Sequence, residues 1–246
     1  VLYAARMARF DLLRAVCGLA MYITKWNYLC DRKLHRLICY LKWSLHIRMV
    51  GWIGDDMCDV DPVCFADADF AGCMATSKST SGSFMTLRGP DTRFPLGALS
   101  QKQRCVSHST TESEIVAADT AVRTEGLPSL ELWDTVFERA CMLKIMEDNQ
   151  SMMKIMSSGK HQTMRHVPRT HRVSIQWLHE FFQEPFLSLE YVESCRQAAD
   201  TFTKGFSNPE KWAAVCTLIY HIDPKDFWKA PADEESIPIL PAVEEY

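Results

Sequence analysis

Three strand-like runs follow one another with no helix between them, and this constrains the fold more than any other feature of the chain. They lie around residues 62–68, 83–87 and 96–107. A loop holding Lys78-Ser79-Thr80-Ser81-Gly82 separates the first two, and Gly89-Pro90 with Pro95 bracket the turn before the third. Consecutive strands so close together predict an antiparallel meander. Ser109 or Thr110 then opens a long helix, with Glu112 three residues after Ser109 as a capping-box partner. Gly126-Leu127-Pro128 is expected to break that helix. An amphipathic run over 130–141, a strand over 142–146, a helix near 173–183 and a strand over 187–192 follow, and a last helix starts at or near Asp200. Interleaved strands and helices of this length make an α/β chain.

The first fifty residues have helical spacing instead, with Leu12, Val16 and Ala20 on one stripe and Leu34, Ile38 and Leu41 on another. The Gly-, Asp- and Pro-rich segment 51–61 reads as a linker. The organisation expected is therefore a helical segment 1–50, a linker 51–61, a main domain 62–222, and an acidic, Pro-rich tail 223–246 expected to be disordered.

Four acids recur in phrases spread along the main domain: Asp67 in CFADADFAG, Glu114 in STTESEIVAAD, Asp148 in MEDNQS and Asp200 in RQAADTFTKG. Carboxylates are hard oxygen ligands, and magnesium is held by one or two of them together with water and substrate phosphates. Each acid also has an ordinary reading. Glu112 and Glu114 could complement a helix N-terminus, Asp148-Asn149 could form a turn or cap, and Asp200 could be an N-cap. On a strand Asp67 and Asp69 share a face, so spacing does not choose between them. Glu114 stacks with Ala117, Ala118 and Ala121, a small-residue face suited to packing on a sheet.

Charge is uneven along the chain. Residues 1–50 carry nine Lys or Arg against Asp11 and Asp31, or 9 − 2 = +7, so the remainder is −4 − 7 = −11. A second basic stretch, 154–172, holds Lys154, Lys160, Arg165, Arg169 and Arg172, three histidines and no acid. Such stretches suit a phosphate backbone, although a solvated face has the same composition. No apolar run approaches the roughly 18 residues of a membrane span, and no signal peptide opens the chain, so no membrane partner is expected and the setting expected is intracellular. The ten cysteines are scattered without a Cys-x-x-Cys pair, which predicts reduced, mostly buried thiols.

The succession DADFAG, KSTSGSF, STTESEI, EDNQS and AADTFTKG resembles the ribonuclease H domain of copia-type long-terminal-repeat retrotransposons, whose usual phrases read SDADWAG, RKSTSG, SSTEAEY, CDNQSA and LADILTK. The resemblance covers roughly residues 63–205. Upstream, VLYAARMARFDLLRAV and RLICYLKWSLH are similar to the end of the preceding reverse transcriptase, and the chain reads as a fragment of a Pol polyprotein without its polymerase. The resemblance implies a ribonuclease H-like mixed five-stranded sheet flanked by helices and preceded by a small helical segment. It implies hydrolysis of the RNA strand of an RNA–DNA hybrid, with Asp67, Glu114, Asp148 and Asp200 holding two magnesium ions, or manganese, and it chooses Asp67 over Asp69. Lys102, Arg104, Lys160, Arg165, Arg169 and Arg172 are candidate contacts to the nucleic acid. The hybrid and the rest of the polyprotein are the implied partners, in a cytoplasmic particle or the nucleus.

Several positions depart from the family pattern. Phe70 stands where tryptophan is usual, the segments Gly54–Asp61 and Gly89–Pro95 are irregular, and Arg172-Val173-Ser174 stands where it has His-Ile-Asp, so His171 and His179 receive no catalytic role. A catalytically silent module of the same fold is the alternative. An integrase-like transferase is disfavoured, because its acids run Asp, Asp, Glu.

Overall fold

A computed structural model describes residues 1–159 and 162–229. Lys160 and most of the tail, residues 230–246, lie outside the described residues.

The chain opens with three helices, α1 (Leu2–Met7), α2 (Leu13–Ala20) and α3 (Tyr28–Trp43), and a short strand β1 (Arg48–Met49). The meander follows as β2 (Asp61–Asp69), β3 (Thr80–Arg88) and β4 (Arg93–Lys102). Helices α4 (Thr110–Ala121) and α5 (Leu127–Phe137) lead to β5 (Leu143–Glu147), and α6 (Gln150–Ser158), α7 (Val167–Thr170) and α8 (Ile175–Phe181) lead to β6 (Leu187–Tyr191). A one-turn helix α9 (Asp200–Thr203), a longer α10 (Pro209–Leu218) and β7 (His221–Ile222) complete the described chain.

The main sheet has the order β4-β3-β2-β5-β6. Pairs β2·β3 and β3·β4 are antiparallel, as expected of a meander, and β2·β5 and β5·β6 are parallel. This is the mixed five-stranded, helix-flanked sheet that the resemblance implied. The middle seven residues of β2 are all buried, as a central strand covered on both faces requires.

Alternation along β2 feeds two cores. Val63 and Phe65 pack with Phe84 of β3, Phe202 of α9 and Leu13 and Val16 of α2, whereas Cys64 and Ala66 pack with Ala121, Val122 and Ile145 on the other face. A third cluster joins Ile115 of α4 to Met152 and Met156 of α6 and Leu178 of α8. The N-terminal helices thus share a core with the sheet. A polar knot fixes them there: Asp11 accepts from Arg9 and from the Tyr40 hydroxyl at 2.8 Å, and the Phe10 N–H donates to His221 Nε2 at 3.1 Å. Just before the expected linker β1 pairs with β7, and within it Trp52 bridges to Arg93.

Four expectations need correction. Gly126-Leu127-Pro128 does not break the helix, because a π turn over Val122–Gly126 carries α4 into α5. Pro128 has no N–H to give to the preceding turn, and the wider π turn directly ahead of it absorbs the lost bond and the register change. The strand placed over 96–107 runs over Arg93–Lys102 instead, with Pro95 opposite Thr86 at a register shift that tolerates a residue lacking a donor. The helix expected to begin at Asp200 lasts a single turn. Four cysteines are buried, Cys30, Cys64, Cys141 and Cys216, whereas Cys39, Cys58 and Cys195 are exposed and all ten are free.

Gly82 of β3 faces α9, and a Cβ there would stand 2.6 Å from Thr203 Cγ2 and 3.0 Å from Ala199 O. Gly82→Ala should therefore cost about 1–3 kcal/mol by overpacking, read as a lowered urea midpoint with unchanged slope.

Candidate metal centre

Four local structures bring carboxylates to one end of the sheet. Asp67 lies near the end of the central strand β2, opposite Gly82 in the register with β3. Asp148 follows the last residue of the parallel neighbour β5 and precedes Asn149, the N-cap of α6, whose Oδ1 accepts from Met152 N at 3.0 Å. Glu114 sits in the first turns of α4. That helix begins where Ser109 Oγ accepts from Glu112 N at 3.1 Å, and Gln103 Nε2 ties it to the sheet by donating to Ser113 O at 2.9 Å and Ser81 Oγ at 3.0 Å. Asp200 opens α9.

Oxygens of Asp67, Glu114 and Asp148 all lie within 4.8 Å of one another. Asp67 and Glu114 are almost wholly buried, Asp148 is half-buried, and together with Asp69, Phe70 and Lys204 they line one cleft. Asp200 stands beside this triad. Lys204 joins it to Asp67, with Nζ 2.5 Å from Asp200 Oδ1 and 3.6 Å from Asp67 Oδ1. Thr203 Oγ1 donates to Asp67 Oδ2, and Ser194 Oγ donates to Asp148 Oδ2 at 2.7 Å.

Electrostatics follow from the crowding. Burial, and then the carboxylates of Glu147, Asp67 and Asp148, push Glu114 well above the ordinary glutamate value. Burial likewise raises Asp67, against the opposing charge of Lys204 and the Thr203 hydrogen bond. Asp200 is raised to about 7 by burial and by Asp67. For Lys204, burial favours the neutral amine, but the Asp67 and Asp200 carboxylates outweigh it and hold the ammonium above its ordinary value. Glu114 Oε2 is buried and has no hydrogen-bond partner. Three converging carboxylates and an orphaned buried oxygen are a donor set that fits a hard divalent cation.

The geometry separates Asp69 from Asp67. Asp69 Oδ1 accepts from Thr80 N, and Arg14 Nη2 lies 3.5 Å from its Oδ2, so its oxygens serve the β2–β3 turn and α2.

Sequence reasoning missed Glu147, the last residue of β5. It is fully buried, accepts from Asn149 N at 3.0 Å through Oε1, and has no partner at Oε2; burial pushes its pKa well above the usual glutamate value. Its position in place of the family's cysteine was the available signal. Lys204 and Thr203 were also missed, although both lie within the phrase that holds Asp200.

Of the candidate nucleic-acid contacts, Lys102 Nζ donates to Cys73 Sγ at 2.7 Å, and Arg104, Arg165, Arg169 and Arg172 are exposed. The basic segment is fastened to α4. His166 Nε2 is 3.2 Å from both Glu112 oxygens, and His171 Nε2 is 3.0 Å from Oε1 but out of line for a hydrogen bond. Glu112 also accepts from His108 N at 3.0 Å, one residue before the N-cap N–H that a capping box would use.

No family model matches the chain. It is similar to a retrotransposon polyprotein. The "Retrovirus-related Pol polyprotein from transposon TNT 1-94" of Nicotiana tabacum is 28% identical over 177 residues, which cover 67% of this chain and 12% of that protein. The chain thus corresponds to about an eighth of that relative. Among solved structures, LC11-RNase H1 isolated from compost overlays with a TM-score of 0.41 at 13% identity, covering 58% of this chain and 92% of that one. The N-terminal RNase H domain of rv2228c from Mycobacterium tuberculosis gives 0.37 at 15% identity, covering 64% and 97%.

A buried glutamate with a raised pKa weakens the metal-free fold as pH rises. Well below the ordinary value of 4.5 both folded and unfolded chains hold the Glu147 proton. Above it the unfolded chain releases the proton and the folded one keeps it, so stability falls with pH until the folded group also ionises. With chelator present, Glu147→Gln should match the wild type near pH 4 and exceed it at pH 8 by on the order of 1–3 kcal/mol in urea melts.

Proposed function

We propose that this chain is the ribonuclease H domain of a copia-type retrotransposon Pol polyprotein, cutting the RNA strand of RNA–DNA hybrids with divalent cations held by Asp67, Glu114, Asp148 and Asp200. The observation that carries this reading is the convergence of Asp67, Glu114 and Asp148 from a strand, a helix and a second strand end, with oxygens within 4.8 Å. Mutually repelling acids brought together under cover are costly to the fold, and a bound cation offsets that cost.

When bound, magnesium or manganese would supply charge to the phosphate under attack and lower the pKa of an attacking water. The residues do the positioning. Asp67, on the central strand, is shared by the triad and by the pair with Asp200. Thr203 fixes the rotamer of Asp67, and Ser194 fixes that of Asp148. Cleavage at phosphorus leaves a 3′-hydroxyl and a 5′-phosphate. Lys102, Arg104, Arg165, Arg169 and Arg172, with Lys160, are the contacts assigned to the hybrid's backbones, where 2′-hydroxyls mark the RNA strand and base sequence counts little. The polyprotein partner is assigned to the outer face of α1–α3, where Tyr3, Tyr28 and Trp43 are exposed.

Asp148→Asn keeps the side-chain volume and removes a ligand. It should lower magnesium-dependent cutting of a labelled hybrid by a factor on the order of a hundred or more while hybrid affinity, read by fluorescence anisotropy, stays the same. Undiminished cutting in this variant overturns the site assignment. A wild-type protein that binds hybrid and never cuts it is the silent module. Arg165→Ala and Arg169→Ala should each weaken hybrid binding and reduce the salt dependence of log affinity by about one unit or less.

A further inference from the structure

Lys204 enters the acidic cleft from the end of α9. Its backbone N–H donates to Asp200 O at 2.9 Å and closes the turn, and its side chain folds back between two carboxylates. Lys204 faces Asp67 Oδ1 and Thr203 holds Asp67 Oδ2, so both oxygens of that residue are engaged on the α9 side. The triad side differs, because Glu114 keeps a buried oxygen without a partner and Asp148 accepts from a neutral serine. One acidic site thus contains two unlike compartments. Asp67, Glu114 and Asp148 offer oxygens to an incoming cation, whereas the gap between Asp67 and Asp200 already holds a protein ammonium.

The geometry points to Lys204 as a resident cation that keeps the place of the second divalent ion between Asp67 and Asp200, so that the ions load in order, the triad first. This rests on the metal-dependent reading above. An ammonium 2.5 Å from one carboxylate and 3.6 Å from the other cannot stay there beside a dication, so the second ion binds only as Lys204 leaves. The side chain can leave, since 41% of its surface is exposed and its four-carbon stem is flexible. The same ammonium lets the metal-free fold keep Asp67 and Asp200 side by side. Lys204 is on this account a positioning residue.

Divalent-ion binding to the full chain without nucleic acid tests this, by calorimetry with magnesium and by the spin-resonance signal of free manganese. The wild type should bind one ion, and a second at least roughly tenfold more weakly or not at all up to millimolar concentrations. Lys204→Met should tighten the second step by roughly tenfold or more, and Lys204→Arg, which keeps the charge, should leave it weak. Lys204 is partly exposed, so both variants should keep the wild-type urea midpoint in the presence of magnesium. Ion binding that is lost in Asp148→Asn but identical in wild type and Lys204→Met overturns the inference and leaves the nuclease reading standing. Absence of divalent binding in both wild type and Lys204→Met overturns the two together.

Discussion

Carboxylates forced together under cover are the constraint around which this molecule is organised. Asp67, Glu114 and Glu147 are nearly or wholly buried, and Asp148 and Asp200 lie against them. Each desolvated charge is costly and each like-charged neighbour adds to the cost. The fold answers with donors placed one by one: Thr203 on Asp67, Ser194 on Asp148, the Asn149 N–H on Glu147, and the ammonium of Lys204 between Asp67 and Asp200. A site with two orphaned buried oxygens still stores repulsion, and only a rigid frame can hold it in place. That frame is β2, antiparallel to β3 on one side and parallel to β5 on the other, so that two carboxyl-bearing strand ends are fixed by main-chain pairing alone.

The same logic explains why the N-terminal helices matter to the site. Phe202 of α9 packs on Phe84 and Phe65, and the cluster continues into Phe10, Leu13 and Val16. Arg14 of α2 donates to Thr203 O at 3.1 Å, which braces the residue that orients Asp67. Helix α9, which carries Asp200 and Thr203 and is capped by Lys204, is only four residues long and has little stability of its own. Its position is inherited from Gly82 beneath it and from α2 beside it.

Much of this was legible in the residues, and the remainder divides by physical range. The meander followed from turn chemistry, the start of α4 from Ser109, and the parallel strands from short apolar runs, all of them properties of a few adjacent residues. The four phrases gathered acids from segments whose proximity no local rule encodes. What stayed hidden depended on tertiary neighbours. Glu147 reads as an ordinary strand-end glutamate until burial is known. Pro128 reads as a helix breaker until a π turn is seen to absorb it. Lys204 is one more lysine before a glycine, and only the return of α9 to the sheet sets it against Asp67.

Glu112 and Glu114 show how two residues apart on one helix is enough to divide the work. Helix geometry rotates their side chains about 200° from each other, so they cannot share a surroundings. Glu114 turns toward carboxylates and is left with an orphaned oxygen. Glu112 turns toward His166, His171 and the His108 N–H, and its buried charge is met by groups able to carry or donate protons. The segment carrying Arg165, Arg169 and Arg172 is therefore fastened to the very turn of α4 that presents Glu114. Movement of the basic segment cannot be independent of the acidic centre, because both hang from the first two turns of the same helix, and that helix is anchored to the sheet through Gln103.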